Sequence, residues 1–373
     1  MKTQTKLQSP NLSKVKNSLE TRLILSQNPA SLQPYTTRLP KGLPKIIRAS
    51  VGSAVVIGLL NEKLDAAPTT AYLMTYRKGK CTANCSFCPQ ARGSHSRADM
   101  LSRVSWPVFA TKNVLDEIEK AFENGKIKRV CFQALNYPKV FTHLLALVKA
   151  IRQKGNVPIS ISCQPLSSEN IRHLAEAGAE RIGIPLDVAT EKLFDRIKGP
   201  AAKGPYCWEK QFKLLSEAVH IFGKGKVSTH LIVGLGETER QMVEIIQRCV
   251  DMGVLPALFA FTPIAGTALE RVPQPPIQKY RRIQIARHLI VHGIARCEDM
   301  RFDEEGCVSD FSVDEQTLLQ IIQMSEPFLT SGCPNCNRPY YNEKPSGPIY
   351  NYPRKISQKE LSEIESQLSL RGS

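Results

Sequence analysis

Short apolar runs rich in β-branched residues alternate with helical patterns of apolar residues from Thr75 onward. This alternation is typical of βα units wound around a parallel sheet. The predicted strands are Tyr72–Tyr76, Arg129–Leu135, Pro158–Cys163, Arg181–Leu186, Val227–Val233, Leu255–Thr262 and Ala295–Phe302. The predicted helices are Val108–Asn124, Phe141–Lys154, Glu169–Ala177, Trp208–Phe222, Glu239–Met252 and Ile277–His292.

Seven such units, with room for an eighth near the C-terminus, predict an α/β fold of the TIM-type (βα) barrel class, full or nearly full. We expect residues 46–325 to form the barrel and residues 1–45 to form a basic, partly disordered leader. Residues 326–373 are expected to form a loop-rich cap with a Cys-x-x-Cys pair and a terminal helix. Catalytic groups of such a barrel lie at the carboxyl ends of its strands.

Composition narrows the class of protein. The chain has 373 residues and eleven cysteines, without a signal peptide, which indicates metal or redox chemistry in a reducing compartment and a cytoplasmic location. The longest apolar stretch, Val51 to Leu60, is too short to span a bilayer, so no membrane association is expected.

The net charge of +16 is concentrated near the N-terminus. Residues 1–50 contain nine Lys or Arg and one Glu, hence 9 − 1 = +8. The remainder is only moderately basic, and an acidic protein partner explains such a surface as well as RNA does. Nucleic-acid binding is therefore not predicted from charge.

Three cysteines at Cys81, Cys85 and Cys88 have the spacing Cys-x3-Cys-x2-Cys in KCTANCSFCPQAR. Three thiolates can bind three irons of a 4Fe-4S cluster and leave the fourth iron open to a ligand. The alternative is structural zinc, which usually takes four ligands in paired knuckles. His95 is the only nearby fourth candidate, so the cluster is favoured.

The trio with the aromatic Phe87 before its third cysteine resembles the loop of radical S-adenosylmethionine (SAM) enzymes. The phrases PTTAYLMTY, CTANCSFCPQAR and SGCPNCNRPYYNE with GPIYNYP are similar to the archaeal biotin synthase-related family, which includes the two-protein (split) lipoyl synthases. The resemblance covers roughly residues 45–355. It implies that Cys81, Cys85 and Cys88 are the catalytic cluster ligands and that SAM binds at the open iron.

The resemblance also implies cofactor-binding residues besides Phe87. Gly234, Gly236 and Glu237 in LIVGLGE would form the adenine-side contact, through close backbone approach and free N–H groups at a helix start. Gln133 would contact the SAM amino group. Asp187 would bind sugar hydroxyls, the alternative being a helix N-cap.

An auxiliary iron-sulfur cluster that supplies sulfur is implied on the same basis. Cys131 and Cys163 match biotin synthase ligands, whereas the third family cysteine is Ser228 here. Cys333 and Cys336 in a Cys-Pro-x-Cys turn are the expected replacements. The alternative for Cys131 and Cys163 is a buried core thiol.

One arginine and five histidines are the remaining residues that could act as ligands. Arg296, on the predicted seventh strand, aligns loosely with an arginine ligand of that family. The histidines inside helical patterns are interpreted as surface or core residues, not as ligands: His143, His173, His220, His288 and His292.

The function implied is radical SAM sulfur insertion by a subunit of a two-protein lipoyl synthase, acting on a protein-bound octanoyl chain. Implied partners are a paralogous second subunit, an acidic lipoyl carrier domain bearing octanoyl-lysine, and a low-potential donor of ferredoxin or flavodoxin type. Alternatives are a biotin synthase-like enzyme or another radical SAM enzyme: a methylthiotransferase, a mutase or a maturase. A zinc-dependent nucleic-acid-binding module is the non-enzyme alternative.

Overall fold

A computed structural model describes residues 39–368 of the chain. These residues form one compact unit. Most of the predicted leader lies outside the described residues, so the expectation for it is not tested.

A mostly parallel sheet of eight strands forms the centre of this unit. The strands are β1 (Ile46–Ala49), β2 (Thr70–Met74), β3 (Met100–Leu101), β4 (Val104–Ser105), β5 (Val108–Ala110), β6 (Arg129–Gln133), β7 (Ile159–Ser162), β8 (Arg181–Gly183), β9 (Val227–Val233), β10 (Val254–Ala260), β11 (Arg301–Phe302) and β12 (Val308–Asp310). The central sheet has the order β10-β9-β8-β7-β6-β2-β1-β5, while β3 with β4 and β11 with β12 form separate pairs.

Ten α-helices accompany the strands in the part of the chain that the structure describes. They are α1 (Val51–Val56), α2 (Thr111–Glu123), α3 (Val140–Lys154), α4 (Ser168–Glu176), α5 (Glu191–Ile197), α6 (Trp208–Phe222), α7 (Glu239–Asp251), α8 (Ile277–Val291), α9 (Glu315–Met324) and α10 (Gln358–Gln367). Short 3-10 helices span Pro200–Ala202, Cys297–Asp299 and Glu326–Phe328.

The TIM-type α/β class predicted from the sequence is confirmed, with six parallel strands from β2 to β10 in the order in which they occur in the chain. The sequence pattern missed β1, which pairs antiparallel with both β2 and β5 and extends the sheet beyond β2. Parallel strands buried on both faces read as continuous apolar runs, and all five residues of β2 are buried.

Alternation along the strands separates the helix-facing side chains from those of the interior. In β9, Val227, Leu231 and Val233 are fully buried, whereas Ser228 and His230 are only partly buried. In β6, Val130 and Phe132 are fully buried and the flanking Cys131 and Gln133 are not. This period of two directs polar and thiol groups toward one shared interior.

The predicted seventh strand, Ala295–Phe302, is wrong. This stretch forms the 3-10 helix Cys297–Asp299 followed by the two-residue β11, which pairs antiparallel with β12. Arg296 binds Asp251 at 3.1 Å and Glu298 at 2.6 Å with its side chain 51% exposed. The polar run Arg-Cys-Glu-Asp satisfies itself locally, and the loose alignment of Arg296 with a barrel ligand is therefore also wrong.

The segment from Leu329 to Ile356 crosses back over the barrel without a helix. The fully buried guanidinium of Arg281 on α8 donates to the carbonyl oxygens of Ile349 and Tyr350 at 2.6 and 2.9 Å. One buried cation thus satisfies main-chain acceptors that a loop would otherwise leave unpaired. Within residues 39–368, no helix is long and apolar enough to cross a membrane.

Candidate active site

A cavity of about 610 Å³ lies inside the sheet. Inward-facing residues of the parallel strands line it, together with the loop that follows β2 and the C-terminal segment. Seven cysteines from distant parts of the sequence border it: Cys81, Cys85, Cys88, Cys131, Cys163, Cys333 and Cys336.

The loop of Cys81, Cys85 and Cys88 is a compact turn beyond the end of β2. The N–H of Cys88 donates to the carbonyl of Cys85 at 3.0 Å, which closes the turn between the second and third cysteines. The Cys81 sulfur accepts N–H groups from Asn136 at 3.1 Å and Ala83 at 3.4 Å. Donors aimed at sulfur suit a thiolate that carries a metal.

Electrostatics at this loop favour a cation between the sulfurs. Burial raises the pKa of Cys85 to about 12, Lys198 opposes the rise, and Asp187 and Cys81 add to it. Burial also raises the pKa of Cys88, with Cys85 next in weight. Three thiolates crowded in a desolvated loop repel each other, and a coordinated cation removes that cost by binding thiols in deprotonated form. The donor set therefore fits an iron-sulfur cluster.

Asp187 lies beyond β8 in a left-handed conformation, with φ of +69°. Its carboxylate accepts a hydrogen bond at 2.6 Å from the fully buried ammonium of Lys198. The predicted alternative, an N-cap, is wrong, because Thr190 caps α5 with its own side chain. Asp187 instead faces the cavity as half of a buried ion pair.

Lys198 and Tyr206 were missed by the sequence analysis. The Lys198 ammonium lies 4.9 Å from the centre of the Tyr206 ring, and the Tyr206 hydroxyl accepts from Asn136 at 2.7 Å. Burial raises the Tyr206 pKa, and Cys85 and Cys81 contribute, so this phenol is close to the cysteine loop. Lys198 opens the segment KGPAAKGPYCW, and nothing in this local sequence distinguishes it from a solvent-exposed surface lysine.

A second group of cysteines consists of Cys131, Cys333 and Cys336. Cys131 on β6 is paired in register with Tyr72 on β2 and Ser160 on β7. The Tyr72 hydroxyl lies 3.2 Å from the Cys336 sulfur and the Ser160 hydroxyl lies 3.3 Å from the Cys333 sulfur. The Cys-Pro-x-Cys turn is thereby held against the strands on either side of Cys131.

The cysteines of the second group influence one another's pKa, as those of the first group do. Burial raises the pKa of Cys131, and Cys333 and Cys336 raise it further. Gln133 donates to the Cys131 sulfur at 3.2 Å and opposes the rise. Gln133 thus lines the cavity beside the second group. Three partly buried cysteines held close together again fit a metal centre.

Cys163 differs from these three cysteines. It follows β7 one residue out of phase with Ser160 and Ser162, which line the cavity. Its side chain is 2% exposed and belongs to the hydrophobic core. Burial raises its pKa to about 12. Cys163 thus belongs to the core and also borders the cavity, and its role as a ligand stays a prediction.

The LIVGLGE turn places its groups differently from the prediction. Gly234 and Gly236 have φ of +105° and +110°, and a Cβ on Gly234 would meet Pro275 at 2.8 Å. The Glu237 carboxylate accepts the N–H groups of Gly234 at 2.8 Å and Leu235 at 2.9 Å. The prediction of free N–H groups concerns the start of the following helix. It is wrong at Arg240 and Gln241, whose N–H groups donate to the Gly306 carbonyl at 2.9 Å and the Thr238 hydroxyl at 3.2 Å.

The face of β9 that does line the cavity carries Ser228, His230 and Ile232. The predicted replacement of a family cysteine by Ser228 therefore falls inside the barrel. The His230 ring lies 4.8 Å from the Phe259 ring, and burial lowers the His230 pKa to about 4, so this imidazole is neutral at neutral pH. Sequence reasoning missed His230.

Arg338 and Tyr341 were also missed, although both follow the Cys333 turn closely. The Arg338 guanidinium lies 3.9 Å from the Phe259 ring centre. The main-chain N–H of Arg338 donates to the Tyr72 hydroxyl at 3.0 Å. Burial raises the Tyr341 pKa, and Cys88 adds to it. Phe87 of the first loop lines the same cavity.

The fold and this cavity define a class: a TIM-type α/β domain with a cysteine trio directly after its first parallel strand. Residues 77–249 match the model of the Radical SAM superfamily. The chain therefore contains a radical SAM superfamily domain, and this superfamily implies a 4Fe-4S cluster and SAM.

Relatives among characterised proteins are biotin synthases. The chain is 24% identical to the biotin synthase of Acinetobacter calcoaceticus over 60% of its own length and 66% of that protein. It is 24% identical to the biotin synthase of Chlamydia pneumoniae over 67% of its length and 71% of that protein, and 27% identical to that of Geotalea uraniireducens over 58% and 64%. The match thus spans about two thirds of these relatives. The chain thus carries a radical SAM domain over residues 77–249 and is distantly similar to biotin synthases.

Solved structures align with parts of the chain at low sequence identity. The FeFe-hydrogenase maturase from Carboxydothermus hydrogenoformans aligns with a TM-score of 0.46 and 15% identity over 60% of this chain and 51% of that one. Methylornithine synthase aligns with a TM-score of 0.44 and 12% identity over 74% and 86%.

Proposed function

We propose that this chain inserts sulfur into an unactivated carbon of a protein-bound octanoyl chain, as one subunit of a two-protein lipoyl synthase. The observation that carries the proposal is that two separate three-cysteine groups border one cavity. One group would initiate the radical reaction, and the other would hold the sulfur that is transferred.

The first group would hold the radical SAM cluster on Cys81, Cys85 and Cys88. A cluster and SAM held there would supply the removal of a hydrogen atom from the substrate carbon, with one electron from the low-potential donor. Asp187 would accept hydrogen bonds from sugar hydroxyls while Lys198 holds its carboxylate in place. The ring of Phe87 would shield the loop from water.

The second group would hold an auxiliary cluster on Cys131, Cys333 and Cys336. When bound, that cluster would supply the sulfide that the product retains. Tyr72 and Ser160 would orient the sulfurs of Cys336 and Cys333, because their hydroxyls already lie within hydrogen-bond distance.

The walls between the two groups suit an aliphatic chain. Met74, Trp106, Leu135 and Phe259 are buried and line the cavity. Each methylene buried there is worth about 0.8 kcal/mol. Tyr341 lines the same cavity, and its ring centre lies 5.8 Å from that of Phe259.

Partners follow from the same proposal. The excess of Lys and Arg would attract an acidic lipoyl carrier domain, and binding should weaken as salt rises. A paralogous subunit would add the second sulfur, and a ferredoxin or flavodoxin type donor would supply electrons. We place the protein in the cytoplasm.

The test is anaerobic reconstitution followed by reaction with SAM, dithionite and an octanoyl-lysine peptide, with mass spectrometry of the peptide. We expect 5′-deoxyadenosine together with a peptide that has gained sulfur. Release of 5′-deoxyadenosine without sulfur gain, with and without the paralogue, refutes the lipoyl assignment.

The auxiliary cluster is tested by iron content. We expect about eight irons per chain in the reconstituted protein and about four in Cys336→Ala, if each site holds a 4Fe-4S cluster. Cys207→Ala is the matched control, because Cys207 is exposed. Equal iron in Cys336→Ala and Cys207→Ala would contradict the second site.

A biotin synthase-like reaction on a small free substrate is the second candidate, supported by the relatives named above. The two candidates differ in whether the substrate is bound to a protein carrier. The biotin synthase-like reaction would be established if a free small molecule gained sulfur and the octanoyl peptide did not.

A further inference from the structure

A second cluster of potential ligands lies apart from the cavity, at the C-terminal end of α8. His288 is in the last turn of α8, and His292 follows one turn later as its C-cap. Glu326 begins the 3-10 helix Glu326–Phe328, which packs against α8. One ligand atom from each of these three side chains lies within 4.8 Å of the other two.

The tautomer of His292 leaves a nitrogen free for a metal. Its Nδ1 lies 2.8 Å from the main-chain carbonyl oxygen of His288. A carbonyl only accepts, so Nδ1 is the donor and Nε2 carries the lone pair. Metal-ligating histidines usually donate their second nitrogen in this way, which fixes the ring.

The surroundings favour a cation with access to solvent. The rings of His288 and His292 lie 4.1 Å apart, as expected for side chains four residues apart on one helix face. His288 is 4% exposed, whereas His292 and Glu326 are exposed. The negative end of the α8 dipole also lies here, and it attracts positive charge.

We propose that His288, His292 and Glu326 bind a divalent transition-metal ion of the zinc class, with water completing the coordination. Two imidazoles and one carboxylate are borderline ligands that suit such an ion. The ion would join the end of α8 to the residues that lead into the Cys333 segment. This site is independent of the proposed sulfur-insertion function.

The experiment titrates the cluster-reconstituted, full-length protein with Zn²⁺ under anaerobic conditions and measures bound zinc by mass spectrometry after dialysis. Expected is one zinc per chain, with X-ray absorption showing N/O ligands at about 2.0–2.2 Å and no sulfur near about 2.3 Å. His292→Gln and Glu326→Gln should each weaken binding more than about tenfold, the lower limit for loss of even an outer partner.

His173→Gln is the matched control, because His173 is also exposed on a helix and lies 3.9 Å from Glu169 at the i,i+4 spacing. It should bind zinc as the unaltered protein does. Both test residues are exposed, so the variants should fold, and unchanged circular dichroism verifies this. Zinc held through sulfur, no zinc at all, or equal affinity in His292→Gln and His173→Gln would overturn the proposal.

Discussion

Replacing Lys198 by methionine isolates the cost of a buried carboxylate that has lost its partner. In the native protein the Lys198 ammonium is fully buried and lies 2.6 Å from the Asp187 carboxylate, which is 9% exposed. Methionine keeps the length of the stem and removes the charge. Breaking a buried pair in this way costs about 3–5 kcal/mol, because the remaining charge is left uncompensated.

The assay is urea unfolding of the anaerobic protein without SAM, followed by far-UV circular dichroism. The free energy of unfolding is obtained from the midpoint at constant m-value. The double variant Asp187→Asn with Lys198→Met should recover a large part of the loss, because the amide at Asp187 carries no charge.

Arg97→Met is the matched control, since Arg97 and Asp99 form an ion pair at 2.6 Å with side chains 69% and 39% exposed. Exposed pairs contribute about 0–1 kcal/mol. A loss for Lys198→Met no larger than that for Arg97→Met would refute the reasoning.

Three further outcomes are expected. Folding lowers the pKa of His230 to about 4, so below about pH 6.5 the unfolded chain binds more protons at this residue than the folded protein does. The free energy of unfolding should therefore fall as pH falls from about 6.5 toward 4, and His230→Phe should flatten that fall. An unchanged slope argues against a neutral His230 ring. Gly234→Ala should lower the free energy of unfolding in urea by about 2–4 kcal/mol, because φ is +105° and the new Cβ meets Pro275 at 2.8 Å. Gly125→Ala, where φ is +68° and no atom lies near the new Cβ, should lower it by about 1–2 kcal/mol. Equal losses would contradict the clash with Pro275. Arg281→Met should destabilise the protein by about 3 kcal/mol or more, because the buried carbonyls of Ile349 and Tyr350 lose their donor. Amide hydrogen exchange in residues 345–356 should also become faster. Unchanged exchange there would contradict the idea that Arg281 holds this segment in place.

Much of the fold follows from local pattern. The six parallel strands were predicted because strands buried on both faces need continuous apolar runs, and glycines mark helix ends. The seventh strand was predicted wrongly for the same reason, since Ala295–Phe302 contains enough apolar residues to resemble a strand. In the structure Arg296 pairs with Glu298 inside the run and with Asp251 on α7, and the stretch forms a 3-10 helix.

The candidate site divides in the same way. The spacing of Cys81, Cys85 and Cys88 lies within one loop, so the sequence alone indicated their proximity. The family resemblance places Cys163 with Cys131, and only the folded structure shows that Cys163 lies in the core where the core borders the cavity. Lys198 gave no sequence signal, because burial of a lysine depends on a carboxylate that only folding brings near.

The sequence by itself determined the class of barrel and the first cysteine trio, since both depend on interactions between near neighbours in the chain. Only the tertiary structure decided that Cys333 and Cys336 meet Cys131, that Glu237 satisfies the glycine turn, and that His292 faces Glu326. These contacts join residues from different elements, and the geometry of the packed sheet and helices sets their distances.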